Sequence, residues 1–133
     1  MDTNQLSAVR LQLETRRGEI QSDLDRIGVE LESIGIEQGQ EHGGTGNHLA
    51  DDGSSVMEQE RIGTIAEDMQ DVLSQINGAL GRLDAGTYGV CLRCEKAINP
   101  DRLEAFPYVE YCIDCQTILE REQHLYGDSP RVN

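Results

Sequence analysis

The sequence predicts a mainly α protein: a long antiparallel coiled-coil hairpin, then a small module built round four cysteines with a short C-terminal helix. Three observations predict it. Two long stretches carry apolar side chains at every seventh position, a glycine-rich break separates them, and two C-x2-C pairs follow the second stretch. Composition agrees. Of 133 residues 37% are apolar, with one Phe, four Tyr and no Trp, too little bulk for a large globular core.

Residues 4–38 form the first stretch, rich in Leu, Ile, Glu, Gln and Arg and free of Pro. Leu6, Leu13, Ile20, Ile27 and Ile34 recur every seven residues, and Val9, Leu24 and Leu31 fill the intermediate offsets, with Arg10 and Arg17 on the seam near the N-terminus. A strict seven-residue repeat marks a helix packed along a coiled-coil seam. Residues 39–53 interrupt it with Gly39, Gly43, Gly44, Gly46 and Gly53 and read as a tip loop. Ser55-Val56-Met57-Glu58 reads as a capping box opening a second helix. That helix repeats the signal in Ile62, Met69, Ile76 and Leu83, with Ile65, Val72 and Ala79 between them. Two heptad helices on a short joint are expected to fold back on each other, so residues 1–84 make the hairpin.

Residues 85–126 change texture and form the second domain. Tyr88–Val90 suits a strand, Asn99-Pro100 an N-cap followed by Pro at the first position of a turn through Ala105, Tyr108–Tyr111 a second strand, and Ile113–Leu125 a short helix. Residues 127–133, opening Gly127-Asp128-Ser129-Pro130, read as a disordered tail.

Charge narrows the class of partner. Asp and Glu number 25 against 11 Lys and Arg, a net −14, and the hairpin residues 1–84 hold 17 of the acids and 6 of the bases. So acidic a chain is repelled by phosphate backbones and anionic bilayers, so no direct DNA binding and no membrane association are expected. No run of apolar residues approaches the ~18 a spanning helix needs. The start, Met1-Asp2-Thr3-Asn4-Gln5, lacks the features of a signal peptide, and a cytoplasmic location is expected.

Cys91-Leu92-Arg93-Cys94 and Cys112-Ile113-Asp114-Cys115 form C-x2-C, seventeen residues, C-x2-C. In a reducing compartment such a pattern reads as a metal site rather than two disulfides. Zn²⁺ takes four thiolates at about 2.3 Å in a tetrahedron, and two such knuckles supply them. Cys91, Cys94, Cys112 and Cys115 are therefore the expected ligands of one structural Zn²⁺. A catalytic zinc is disfavoured because four Cys ligands leave no position for water. A redox pair of the thioredoxin kind needs a βαβ setting absent here. Four thiolates round one dication carry about −2, which deepens the acidity. The basic residues nearby, Arg93, Lys96 and Arg102, read as solvated.

Residues 80–119 carry a resemblance. Leu83-Asp84-Ala85-Gly86-Thr87-Tyr88-Gly89-Val90-Cys91, Arg102-Leu103-Glu104-Ala105, Pro107 and Cys112-Ile113-Asp114-Cys115-Gln116 resemble the DksA/TraR family of C4-type zinc-finger proteins. The likeness is dense over these forty residues, weaker over 47–79, and over 1–46 only a shared helical pattern. It implies a coiled-coil hairpin with a zinc module and a function: a bacterial transcription regulator, not an enzyme. Such proteins bind RNA polymerase, insert the hairpin through its secondary channel and modulate initiation.

All four cysteines carry over. The family's tip motif Asp-x-x-Asp-x-Ala falls on His48-Leu49-Ala50-Asp51-Asp52-Gly53, where His48 replaces the first Asp and Gly53 the Ala. Asp51 and Asp52 are thus the tip candidates for partner binding; taken without the resemblance they read as loop or capping residues. His42 and His48 read as exposed loop residues. Positions that are basic in members responding to guanosine tetraphosphate fall on Asp68, Gln75, Phe106 and Gln116, none of them basic, which makes that alarmone a doubtful ligand. Glu95 stands where the family usually has Gly after the first knuckle, so strain is expected there. The alternative, from a different class, is a zinc-stabilised structural adaptor binding another protein through its helices.

Overall fold

The computed structural model describes residues 1–40 and 48–125, and between 34 and 55 the backbone alone. Four helices follow in order: α1 Thr3–Gln40, α2 His48–Ala85, α3 Pro100–Ala105 and α4 Ile113–Leu125. The last two occupy the spans that the N-cap and periodicity predict. Among the described residues there is no strand, and Val90 and Ala97 make only an isolated antiparallel bridge. Tyr88–Val90 and Tyr108–Tyr111 are therefore not strands. Their backbone groups are used singly, Ile98 N–H donating to the Gly89 carbonyl at 2.8 Å and Leu92 N–H to that of Glu110 at 2.9 Å, so no ladder propagates.

α1 starts on a reciprocal capping box that the heptad reading passed over. The Asp2 carboxylate accepts from Gln5 N–H at 2.7 Å, and the Gln5 amide oxygen accepts from Asp2 N–H at 2.9 Å. α2 ends in a Schellman turn. Gly86 sits at φ +76°, its N–H donates to the Leu83 carbonyl at 3.3 Å, and Thr87 N–H donates to that of Arg82 at 2.9 Å. A side chain at position 86 would be strained, so Gly86 stops the helix and releases the chain toward the first knuckle.

The start of α2 corrects the sequence reading. Helix begins at His48, so residues 48–53 are helical rather than loop, and Ser55–Glu58 lies inside α2 instead of capping it. Asp51 and Asp52 fall in the opening turns, where acidic residues complement the positive end of the helix dipole and favour helix over loop. His42 and the tail 127–133 lie outside the described residues.

The chain divides into two compact units, Glu14–Ser74 and Met1–Leu13 with the chain from Gln75 on. The division does not fall between residues 84 and 85. The cysteine module is too small to enclose much core alone, and its compact unit includes eleven residues of each long helix. Within that unit Leu13, Ile76, Ala79 and Leu80 are buried, and Arg10 reaches Asp84 at 2.8 Å, so the two helix ends run antiparallel. Burial dominates here. Truncating Leu13 or Ile76 removes about 2–5 kcal/mol, whereas an ion pair as exposed as Arg10–Asp84 contributes under about 1 kcal/mol. Arg10, a misfit in the heptad, thus finds a carboxylate across the pair.

In Glu14–Ser74 the buried anchors are Ile20 and Ile62, with Leu24, Ile27, Leu31 and Met69 half-buried. Ile65 is 43% exposed and does not belong to the seam. A straight helix drifts about 20° per heptad from an exact seven-residue repeat, so the buried stripe shifts to the i+4 neighbours Ala66 and Leu73, both half-buried. No described helix is long and apolar enough to cross a membrane.

Candidate metal centre

The module from Gly86 is held at three places before any metal is considered. Glu95 N–H donates to the Cys91 carbonyl at 3.0 Å and Cys91 N–H to the Lys96 carbonyl at 2.9 Å, winding the first knuckle into a tight turn. Glu95 closes that turn at φ +64°, the one described non-glycine residue in the left-handed region, as the resemblance leads one to expect. Asn99 caps α3, its side chain accepting from Asp101 N–H at 2.8 Å, with Pro100 in the first turn. α3 carries Leu103 inward, where it packs with Ile98, Cys91 and Cys115, flanked by Tyr88, Val109 and Tyr111.

Two arginines that the sequence suggests are solvated take part in this framework. Arg102 Nε donates to the Tyr111 carbonyl at 3.0 Å, fixing the backbone that leads into Cys112. Arg93 Nη1 lies 3.8 Å from Cys115 Sγ, a bond from the first knuckle to the second across 22 residues. The available signal was position: a cation inside a C-x2-C loop is held beside thiolates by the loop itself.

The four sulfurs of Cys91, Cys94, Cys112 and Cys115 all lie within 4.8 Å of one another. Cys94 Sγ and Cys112 Sγ are 3.8 Å apart. A tetrahedron with zinc–sulfur arms of about 2.3 Å has edges of about 3.8 Å, so the cage has the size the ion requires. Cys91 and Cys115 are buried, while Cys94 and Cys112 are half-exposed. Second contacts orient the donors, with Cys115 N–H reaching Cys112 Sγ at 3.5 Å, and Cys115 placed in the first turn of α4.

Crowding drives the thiols apart in acidity. Burial pushes the Cys91 thiol up, but hydrogen bonds from the Cys94, Cys112 and Arg93 backbones and the Cys94 thiol outweigh it, leaving Cys91 at about 6. Burial pushes the Cys115 thiol up, Arg93 pulls it down, and the other three cysteines push it further, to about 12. Four thiols this close cannot all ionise without a cation among them. A dication replaces their protons and neutralises half of the resulting charge. The hydrogen bond to the Cys115 sulfur in turn holds the Arg93 guanidinium above its ordinary value.

Of the remaining candidates, Asp51 and Asp52 are placed on the opening turns of α2 by their backbone, and their side chains lie outside the described residues. The cysteine cluster is the one group of potential metal ligands among the described residues.

Comparison with known proteins agrees with this geometry. Residues 86–121 match the family described as prokaryotic dksA/traR C4-type zinc finger. Over 112 residues the chain is 34% identical to General stress protein 16O of Bacillus subtilis, covering 84% of this chain and 68% of that relative. It is 39% identical over 57 residues to RNA polymerase-binding transcription factor DksA of Haemophilus influenzae, covering 42% of this chain and 39% of the relative. The structure of transcription factor DksA2 from Pseudomonas aeruginosa matches with a TM-score of 0.72 and 26% identity, over 92% of this chain and 88% of that one. Four cysteines within one cage, inside a C4 zinc-finger match, make a site for one structural zinc ion.

Proposed function

This chain belongs to the DksA/TraR family of C4-type zinc-finger proteins, and from that premise we propose that it is a bacterial transcription regulator that binds RNA polymerase. A transcription-factor-like role follows from the family. The finer reading is that the paired helices enter the polymerase secondary channel, bring Asp51 and Asp52 near the catalytic centre and modulate initiation in the cytoplasm.

The observation that carries this reading is the likeness to the DksA2 structure, which extends over 92% of the chain and so includes the long helices as well as the zinc finger. Charge supports it. The two long helices hold 15 acidic residues against 6 basic ones, and carboxylates carried on a helix start are suited to perturbing a Mg²⁺ site or a mobile catalytic element. Zinc would act structurally. Cys91, Cys94, Cys112 and Cys115 would hold it, and it would supply the cross-link that a core of so few side chains lacks. No step of catalysis is assigned to any residue.

The test is co-purification of the full chain with RNA polymerase, followed by a reconstituted initiation assay. The expected result is stoichiometric binding and altered transcript yield, with loss of the effect on yield, but not of binding, in Asp51→Asn. Absence of both binding and effect overturns the proposal, and unchanged activity in Asp51→Asn removes the tip role. His48 and Gly53, standing where the family tip motif has Asp and Ala, favour a second reading as an adaptor that binds another protein through its helices. An adaptor would not compete with a secondary-channel ligand for the polymerase.

A further inference from the structure

The four-cysteine cage carries more negative charge than its ion can neutralise, and the structure places a cation against one of its sulfurs. Four thiolates and one Zn²⁺ leave about −2 in a module whose surroundings are also acidic. Outer groups that donate hydrogen bonds to such sulfurs draw off part of that charge and hold the ligand in place. Cys112 Sγ receives a backbone N–H, that of Cys115. The other sulfur of that knuckle, Cys115 Sγ, is the one that Arg93 reaches, at 3.8 Å. Among the described residues Arg93 is the one side chain outside the four cysteines that hydrogen-bonds to a sulfur.

We propose that Arg93 is a positioning residue of the zinc site, a guanidinium clamp on Cys115 that joins the two knuckles and slows escape of the ion. The inference rests on the reading of the four cysteines as zinc ligands. Arg93 belongs to the first knuckle, between Cys91 and Cys94, whereas Cys115 opens α4 in the second. The bond from Arg93 would hold the Cys115 sulfur in place, because a displaced thiolate would leave behind a guanidinium without its anion. A guanidinium suits the task better than an ammonium, since its fixed N–H groups direct a bond to the sulfur while the charge stays on the cage. Lys96 offers the internal comparison: it has the same charge in the same turn, and its side chain makes no hydrogen bond or ion pair among the described residues.

The experiment measures zinc in full-length wild type, Arg93→Ala, Arg93→Lys, Arg93→Gln and Lys96→Ala by native mass spectrometry, then zinc release to a chromogenic chelator. Cobalt-substituted samples report the sulfur-to-metal charge-transfer band. Expected is one zinc in each, release roughly 10-fold faster in Arg93→Ala, an intermediate rate in Arg93→Lys, a wild-type rate in Lys96→Ala, and a band shift in Arg93→Ala alone of these three. Arg93→Gln, which keeps an N–H donor without the charge, is expected to fall between Ala and Lys and serves if Arg93→Ala does not fold. Equal rates in wild type and every Arg93 variant overturn the clamp, as does equal acceleration in Lys96→Ala, which would assign the effect to net charge. A wild type that holds no zinc overturns the metal reading itself.

Discussion

The Tyr88 hydroxyl donates to the Pro107 carbonyl at 2.8 Å, joining residues 19 apart on either side of α3. The phenol is half-buried, and burial holds its ionisation above the usual 10.0, partly offset by Arg82. Because the folded value is the higher one, the neutral phenol's contribution is fully present below pH 10 and is lost as pH rises through the folded value. Tyr88→Phe is expected to cost about 1 kcal/mol at neutral pH. It should also flatten the loss of stability above pH 10, as read by urea denaturation across an alkaline series. An unchanged alkaline limb would assign that loss to another group.

Glu95 holds a backbone angle that suits glycine, φ +64°. The left-handed conformation costs an ordinary residue roughly 1–2 kcal/mol, and glycine returns about 0.4–1 kcal/mol of that through a freer unfolded chain. Glu95→Gly is therefore expected to stabilise the zinc-bound protein by up to about 1.6 kcal/mol, raising its denaturation midpoint without altering zinc content. A lower midpoint would mean that the Glu95 side chain contributes more than its backbone costs.

Interior helix glycines make the long helices weaker than their packing requires. A Cβ at Gly18 or Gly63 would meet nothing within 4 Å. Each replacement by Ala is expected to add about 1 kcal/mol, seen as a higher thermal midpoint. Gly78→Ala should gain less, since its Cβ would stand 3.2 Å from Arg82 Nη1 and displace the end of that side chain. Equal gains at all three sites would show that the arginine yields freely.

Removal of zinc should act locally. The buried cluster of the module is Cys91, Ile98, Leu103 and Cys115, two of whose four members are proposed ligands, so the bound ion would be part of the core. Chelation is expected to abolish the near-ultraviolet signal of Tyr88, Tyr108 and Tyr111 while most of the helical signal of α1 and α2 persists. Zinc readdition should restore it. A module that stays ordered without metal would contradict the structural role.

Periodicity and spacing by themselves determined two long helices, the capped turn at Asn99-Pro100, the helix Ile113–Leu125 and the four-cysteine cage. Each depends on contacts within a few residues or on a repeat that only one conformation satisfies. The tertiary structure decided the rest. It showed helix from His48, where a glycine-rich sequence reads as loop, because local propensity is a weak force beside a helix already propagating. It excluded Ile65 from the seam, since straight helices drift from an exact heptad. It dissolved two short strands into single hydrogen bonds, for want of neighbours to extend a ladder. It also gave Arg10 a partner in Asp84 and Arg93 one in Cys115, contacts across 74 and 22 residues that no local pattern encodes. A charged side chain in a sequence reads as solvated until the fold supplies the opposite charge.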